Sequence, residues 1–425
     1  MAVMRVVLLF AVLSQVAAYH GPDLPPGPYC GLGGTRGGCC TNRQDSCSHK
    51  ILDTLCYCDE FCNKTRVVDD CCPDYEEVCL GLLPPSPAER GVCILGQKKM
   101  NKCNKCTCDI VDNRPDWICE YDVCMISDDV IYGVNQGGET WRAANYTKYL
   151  DKKLKDGLVY RLGTLPLDRD TRRMGAIQYN EDIEYPRNFD ARKHWPRFIS
   201  PIMDQGWCGS DWAVSIASIA SDRFAIQSNG AESMVLSPQS LLSCNVRGQR
   251  GCDGGHIDVA WNFAGQYGLV DLDCYPYKAA VKPCPYRITG NLLETGCTPR
   301  IPTRTSKYKV SPPYRIVREK DIMWEIMESG PVQAVMTVYQ DFFHYRDGIY
   351  RHTRHGNLIE SGLHSVKIIG WGEERGDRYW TVANSWGQEW GEDGYFRIAR
   401  GTDESGIESF VIAGLSDVSE ANQWK

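Results

Sequence analysis

The sequence predicts an α+β protein in which one large mixed domain follows a set of small disulfide-rich modules. Sixteen of the 22 cysteines lie before residue 125, in two blocks that each hold an even number. After Asp211, apolar residues recur with helical spacing, and the runs 365–371 and 379–383 are rich in strand-forming residues. Since the chain has 425 residues, about two to three domains and a substantial core are expected.

The first 18 residues have the features of a secretory signal peptide. Arg5 precedes a short apolar run, 6–13, and small residues at 16–18 offer a cleavage site. That run is too short to cross a bilayer, and no later stretch approaches about 20 apolar residues. A buried N-terminal helix is the alternative interpretation of residues 1–18. We predict a secreted protein without a membrane span, located in the extracellular space or the extracellular matrix.

The cysteine content and two glycosylation sequons agree with export. So many cysteines persist as disulfides in an oxidising compartment. There, Asn63 and Asn145, each followed two residues later by a Thr, become acceptors for N-linked glycans. The formal net charge of −7 argues against nucleic-acid binding, which needs a basic surface. We expect neither a cofactor nor a metal.

Residues 26–80 hold ten cysteines and are predicted to form one small module. A Cys-x-Cys-x3-Cys cluster begins at Cys56, and a Cys-Cys-x6-Cys cluster closes at Cys79. These clusters resemble a somatomedin B module, which is too small for a large core and relies on disulfides. The segment between Cys62 and Cys71 is longer than that resemblance leads us to expect. A zinc module is the alternative, although neither cluster contains a His.

A Pro-rich linker, 81–92, leads to a second cysteine-rich block. Three prolines between residues 84 and 87 make this linker stiff. Residues 93–124 hold six cysteines and resemble a von Willebrand factor C or growth-factor-like module. Both modules are typical of proteins that bind other extracellular proteins, although they could serve only as spacers.

Residues 125–184 contain no cysteine and separate these modules from the large domain. Apolar residues Tyr146, Leu150 and Leu154 share one face of a helix predicted over 141–155, with a glycine just beyond its end. The dibasic pair at 172–173 is a weak candidate for proteolytic processing.

Residues 185–418 resemble cathepsin B, a peptidase of the papain family, over their whole length. The string Gln-Gly-Trp-Cys-Gly-Ser-Asp-Trp at 205–212 is close to the sequence around the papain-type nucleophile. This resemblance implies a helical left lobe and a β-barrel-like right lobe with a cleft between them. It also implies that residues 125–184 match a pro-segment, which crosses the cleft and blocks it. Together, the modules and the domain resemble the tubulointerstitial nephritis antigen family of secreted, non-catalytic relatives.

The resemblance assigns a role to each residue of the catalytic frame. Asp211 stands where the family has its nucleophilic Cys, and His364 stands at the position of the base. Asn384 matches the residue that orients the imidazole, and Gln205 matches the side-chain donor of the oxyanion hole. Trp386 matches the residue that shields the His–Asn pair. Papain-type catalysis needs a thiolate activated by an imidazole, so the frame is present without its reactive atom.

Asp211 suits this position structurally but not chemically. A carboxylate is a poor nucleophile towards an amide, whereas a helix N-terminus stabilises its charge. We predict a static ion pair between Asp211 and His364. Cys208 is no substitute nucleophile, because the resemblance implies a disulfide between Cys208 and Cys252.

Three further departures from cathepsin B concern the substrate cleft. The stretch 274–297, where that enzyme has adjacent His residues, contains no His, and its cysteines are expected to pair with one another and with Cys244. A bulky Leu363 precedes His364. Phe410 replaces an acidic residue of the pocket for basic side chains, so we expect a more apolar pocket. The cleft residues predicted are Gly254, Gly255, Leu363, Trp386 and Phe410.

The leading hypothesis is a secreted, non-catalytic adaptor that binds extracellular proteins. The resemblance implies matrix components, cell-surface receptors or a lipid-modified, Wnt-type signalling ligand as partners. Residual or altered cysteine-type endopeptidase activity is the first alternative, and a decoy for peptidase inhibitors or substrates is the second. Because an inactive enzyme cannot free its own cleft, residues 125–184 are expected to stay attached.

Overall fold

The structure is a computed structural model, and the residues that it describes lie between 29 and 421 with several gaps. They are 29–30, 38–42, 44–51, 54–60, 62, 71–72, 74–79, 93–111, 113–179, 183–299, 301–302, 304–357 and 359–421. The predicted signal peptide, the Pro-rich linker and the sequon at Asn63 lie outside these ranges. No helix in the described part of the chain is long and apolar enough to cross a membrane.

The N-terminal part of the chain is a small module held by disulfides. Strand β1 (Ser48–Ile51) pairs antiparallel with β2 (Thr54–Tyr57), and helix α1 spans Tyr75–Cys79. The buried side chains of its core are cysteines and Tyr75, with no aliphatic side chain among those described. Since little apolar surface is buried, the cross-links supply much of the constraint. They are Cys30–Cys58, Cys39–Cys79, Cys40–Cys47, Cys56–Cys72 and Cys62–Cys71.

The second cysteine-rich segment forms a three-stranded sheet, ordered β3 (Lys98–Asn101), β4 (Asn104–Val111) and β5 (Arg114–Cys119). Its disulfides are Cys93–Cys108, Cys103–Cys124 and Cys106–Cys119. All 22 cysteines lie within the described ranges, and none is free. By their contacts, residues divide into two units, which are Met1–Gln97 with Thr107–Ile118 and Lys98–Cys106 with Cys119–Lys425.

Residues 125–179, which we call the strap, contain short elements joined by extended chain. The first helix begins after Ser127, whose hydroxyl accepts from the Val130 N–H, and two Asp residues in its first turn favour the helix N-terminus. The elements of the strap are α2 (Asp128–Gln136), β6 (Trp141–Ala143), α3 (Leu154–Tyr160), α4 (Arg169–Arg172) and β7 (Ala176–Ile177).

The helix predicted over 141–155 is wrong. Trp141 and Ala143 are buried while the residue between them is exposed, which is the alternation of a strand on a sheet edge. Tyr149 is fully buried in a short 3₁₀ turn, whereas Leu150, which we expected on the buried face, is 42% exposed. Tertiary packing of Trp141 on the sheet overrides the local helical spacing.

A ten-stranded sheet forms the β half of the large domain. Both predicted strand runs are confirmed, and the strap supplies the two strands at its edges. The order is β6-β11-β14-β13-β12-β10-β15-β9-β7, with β8 against β12. The further strands are β8 (Phe189–Asp190), β9 (Tyr314–Ile316), β10 (Val332–Val338), β11 (Tyr345–Tyr350), β12 (Gly362–Glu374), β13 (Asp377–Ala383), β14 (Tyr395–Ala399) and β15 (Val411–Ala413).

The helical half is built around one buried helix that starts at Asp211, as predicted. Its apolar side chains pack with neighbouring helices in a core separate from the main core of the sheet. The helix also contacts β10 and β12, so its first turn lies where the two halves meet. The predicted α+β fold is confirmed. The helices are α5 (Ala191–His194), α6 (Asp211–Gln227), α7 (Pro238–Cys244), α8 (Ile257–Gln266) and α9 (Glu319–Ser329).

Candidate functional site

The side chain of Asp211 is the centre of the candidate site. It is fully buried in the first turn of α6, where the helix N-terminus favours a negative charge. Its Oδ1 accepts from the Gly163 N–H at 2.6 Å. Its Oδ2 accepts from the Thr164 hydroxyl at 2.7 Å and the Ser365 N–H at 2.8 Å, and lies 3.0 Å from Nδ1 of His364. Two of these four partners belong to the strap.

His364 lies between two hydrogen-bond acceptors in a solvent-free position. Its Nδ1 faces Asp211, and its Nε2 is 2.8 Å from Oδ1 of Asn384, which also accepts from the Ser385 N–H. Because an amide oxygen and an ionised carboxylate only accept, both ring nitrogens satisfy these contacts when each carries a hydrogen. The Trp386 ring lies 5.1 Å from the imidazole, centroid to centroid. The structure thus brings Asp211, His364 and Asn384 into one hydrogen-bonded chain.

Gln205 is buried beside these hydrogen-bonded residues, and its side-chain amide forms hydrogen bonds within the protein. Its Nε2 donates to the Cys208 carbonyl at 2.9 Å and to the Arg161 carbonyl of the strap at 3.4 Å. Its Oε1 accepts from the Ser385 hydroxyl at 2.5 Å. The donor that the resemblance assigns to an oxyanion hole is therefore directed at backbone carbonyls of the chain itself.

The strap crosses the cleft at Gly163 and Thr164. A Cβ on Gly163 would lie 1.8 Å from the carbonyl oxygen of Gly209, so only glycine fits there. The Gly163 carbonyl accepts from the Gly255 N–H at 2.8 Å. Thr164 forms isolated β-bridges with Gly255 on one side and Leu363 on the other. The strap is thereby bonded to both walls of the cleft.

Ion pairs hold the strap next to the hydrogen-bonded residues Asp211, His364 and Asn384. Arg161 is buried, its guanidinium is 2.7 Å from Asp204, and it stacks over the ring of Tyr149. Lys148 donates to the Trp386 carbonyl at 2.6 Å and lies 3.8 Å from Asp204. Burial opposes ionisation of Asp204, but the charge and hydrogen bond of Arg161, the Gly206 N–H and the charge of Lys148 together lower the pKa of that carboxyl. Sequence reasoning missed Arg161 and Asp204, because no local pattern marks either.

The N-terminal end of the strap is fastened by a neutral imidazole. Nε2 of His344 accepts from the Ser127 N–H at 2.9 Å, and Nδ1 lies 3.0 Å from the Gln340 carbonyl oxygen. Burial lowers the pKa of His344 to about 4. A neutral ring fits both contacts, since one nitrogen must accept and the other must donate.

The C-terminal end of the strap is fastened by Tyr179. Its ring stacks on Trp324 with centroids 3.8 Å apart, and its hydroxyl donates to Glu325. Glu325 also pairs with the buried Arg223 at 2.8 Å. Burial raises the pKa of Glu325, but the Arg223 guanidinium and the hydroxyls of Tyr179 and Tyr314 together lower that pKa overall.

A cavity of about 370 Å³, which we call the chamber, lies beside Phe410. Leu167 and Arg172 of the strap line it together with Leu363. The sequence predicts a more apolar pocket here, yet the guanidinium of Arg315 lies 5.4 Å from the Phe410 ring centroid. The two arginines come from distant segments, so no local sequence signal placed them together.

The structure also places the other residues that the sequence singled out. The disulfide Cys208–Cys252 lies just before α6, and Gly254 is so close to the strap that a Cβ there would lie 2.7 Å from the Gly163 carbonyl oxygen. Asn145 is exposed. The loop disulfides are Cys244–Cys284 and Cys274–Cys297.

Comparison with known proteins places the large domain. The family described as papain family cysteine protease matches residues 185–415. Tubulointerstitial nephritis antigen-like of Homo sapiens is 42% identical over 88% of this chain and 86% of its own. Tubulointerstitial nephritis antigen of Bos taurus is 38% identical over 93% of this chain and 89% of its own.

Solved structures of zymogens match both the large domain and part of the preceding segment. Procathepsin B S9 of Trypanosoma congolense has a TM-score of 0.59 and 33% identity, covering 69% of this chain and 99% of its own. Procathepsin L2 of Tenebrio molitor has a TM-score of 0.55 and 26% identity, covering 67% of this chain and 87% of its own.

Proposed function

This chain belongs to the papain family, in its tubulointerstitial nephritis antigen group, and we propose that it is a secreted, non-catalytic binding protein. The observation that carries the proposal is the bonding of Asp211. Papain-type cleavage requires a thiolate next to the imidazole. At this position the chain has a carboxylate, and four hydrogen-bond partners already engage it. The resulting arrangement has the donors and acceptors of a structural site.

The strap supports the same proposal from the side of the substrate. A peptide that is to be cleaved must lie between the walls of the cleft, where residues 163–164 are bonded to Gly255 and Leu363. Peptidase inhibitors would need the same space. A decoy role therefore requires removal of the strap, which a non-catalytic chain does not achieve on itself.

A peptidase assay tests the loss of catalysis. The secreted chain, before and after digestion of the strap by an added protease, is incubated with a fluorogenic peptide amide. We expect no turnover above the added protease alone. Turnover that disappears in a His364→Ala variant would establish residual peptidase activity and contradict the proposal. An Asp211→Cys variant is expected to gain little activity, because Leu363 and Phe410 also alter the cleft.

The proposed partners are matrix components, cell-surface receptors or a lipid-modified, Wnt-type signalling ligand. Eleven disulfides, an exposed Asn145 sequon and two cysteine-rich modules support an extracellular location and protein binding. Capture from extracellular fluid and solubilised matrix, with the full chain and a chain lacking residues 19–124, identifies candidates by mass spectrometry. Each candidate is then purified and its affinity measured. Equal affinity for both chains would assign binding to the large domain rather than to the modules.

A further inference from the structure

The chamber beside Phe410 has the volume and lining of a ligand site. Its volume of about 370 Å³ falls in the range of small-molecule pockets, which are mostly apolar with a few convergent polar groups. Leu167, Leu363 and Phe410 give it apolar walls. Since Leu167 belongs to the strap, the chamber is complete only while the strap is in place.

Arg315 is held rigidly at the wall of this chamber. Its guanidinium donates to the Arg172 carbonyl at 2.6 Å and to the Ser409 carbonyl at 3.0 Å, and it lies over the Phe410 ring. These two bonds use two of five N–H groups, and the buried Nε–H has no hydrogen-bond partner among the residues that the structure describes. A guanidinium that is held in place and has unused N–H groups can donate hydrogen bonds to a ligand without first being ordered.

The positive charge at the chamber is not compensated by the protein. Within the described ranges, no carboxylate lies within ion-pair distance of the guanidinium of Arg315 or Arg172. The buried Arg161 is paired with Asp204, whereas the half-buried Arg315 has no such partner in the described part of the chain and Arg172 is exposed to solvent. An anion in the chamber would remove this imbalance, and arginine binds carboxylates with two parallel hydrogen bonds.

We propose that the chamber binds a carboxylate joined to an apolar group, with the carboxylate at Arg315 and Arg172 and the apolar group against Leu363 and Phe410. The volume corresponds to about twelve water-sized groups. That room suits either the free C-terminus of a chain ending in an apolar residue or a medium-chain fatty acid. This inference rests on the proposed non-catalytic role, because it requires the strap to stay in place.

Calorimetric titration of the full, undigested chain tests this proposal. The probes are decanoate, decanol, acetyl-Gly-Leu with a free carboxylate and the same peptide as its amide. We expect a carboxylate probe to bind at least tenfold more tightly than its neutral counterpart. Comparison of decanoate with the acidic peptide identifies the source of the carboxylate.

Variants separate recognition at the chamber from general charge effects. Arg315→Gln and Arg172→Gln should each weaken binding of the better probe at least tenfold. Arg173→Gln is the matched control, since Arg173 is an exposed neighbour that does not line the chamber. Because Arg172 is also exposed, its replacement leaves folding intact even if Arg315→Gln does not.

Three results would overturn the inference. They are no binding of either carboxylate probe, equal binding of the neutral probes, and unchanged binding in Arg172→Gln. Failure of the proposed function is distinguishable, because it appears as peptidase turnover whether or not the chamber binds a carboxylate.

Discussion

The centre at Asp211 and the chamber beside Phe410 differ in how their charges are compensated. At the centre, the Asp211 carboxylate has four hydrogen-bond partners and is fully buried. At the chamber, two guanidinium groups have no carboxylate partner among the described residues, and about 370 Å³ stays open. A satisfied buried charge stabilises a fold only as long as every partner remains. Of the two guanidinium groups, that of Arg315 is half-buried and that of Arg172 is exposed, and charged groups without a protein partner beside a cavity are typical of a binding site.

Of the substitutions that test this comparison, Asp211→Ala should cause the largest loss of stability. It leaves three donors and an imidazole without their acceptor inside the protein, and breaking a buried charged pair costs about 3–5 kcal/mol. Urea unfolding measures the loss, and limited proteolysis should show faster cleavage of the strap. Asp170→Ala, at an exposed position of the strap, is the control and should change stability by less than about 1 kcal/mol. A similar stability for both variants would remove the structural role of Asp211.

Lowering the pH should weaken the attachment of the strap at Ser127, because the contact with His344 requires a neutral imidazole. The pKa of His344 is about 4 in the folded chain and about 6.5 in the unfolded chain, so the unfolded state binds a proton first. Stability is full above about pH 6.5 and falls as the pH drops towards about 4, by about 3 kcal/mol in all. His344→Gln should flatten this dependence, whereas the exposed His194→Gln should not. The free energy of unfolding, measured at several pH values, checks both variants. If the His344→Gln variant lost stability with falling pH as steeply as the unmodified chain, this prediction would be refuted.

Gly163→Ala should disrupt the hydrogen bonds between the strap and Asp211 through a steric clash alone. The added Cβ meets the Gly209 carbonyl at 1.8 Å, and both groups are backbone, so the strap must move away from Asp211. We expect a loss of about 1–3 kcal/mol, as for overpacking of a core. Gly175→Ala is a matched control in the same strap, since its Cβ would meet no atom of the described part of the chain within 4 Å. Thermal unfolding compares them, and equal melting temperatures would contradict the close crossing.

Arg315→Gln should have the smallest effect on stability and so sharpen the comparison. It removes two hydrogen bonds to carbonyls and a contact with Phe410, but it breaks no ion pair among the described residues. We expect a change of about 1 kcal/mol, together with loss of carboxylate binding. A loss as large as that of Asp211→Ala would mean that Arg315 is a structural residue rather than a binding residue.

Sequence reasoning succeeded where the signal is local and failed where the partners are distant. Helix α6 and the strands β12 and β13 follow from spacing and strand propensity, and the structure contains them. The order Asp211, His364, Asn384 was readable because each lies in its own motif. The helix over 141–155 failed because Trp141 packs on the sheet edge, a contact that no window of the sequence contains.

The sequence by itself determined which side-chain groups stand at the centre, namely the carboxylate of Asp211, the imidazole of His364 and the amide of Asn384. Identity of side chains is a property of the chain, so this holds in any conformation. Only the tertiary structure decided what that carboxylate does. Its strap partners, Gly163 and Thr164, lie 48 and 47 residues away in the chain. The pairing of Phe410 with Arg315 likewise depends on how distant segments pack, because short-range forces act between groups only after folding brings them together.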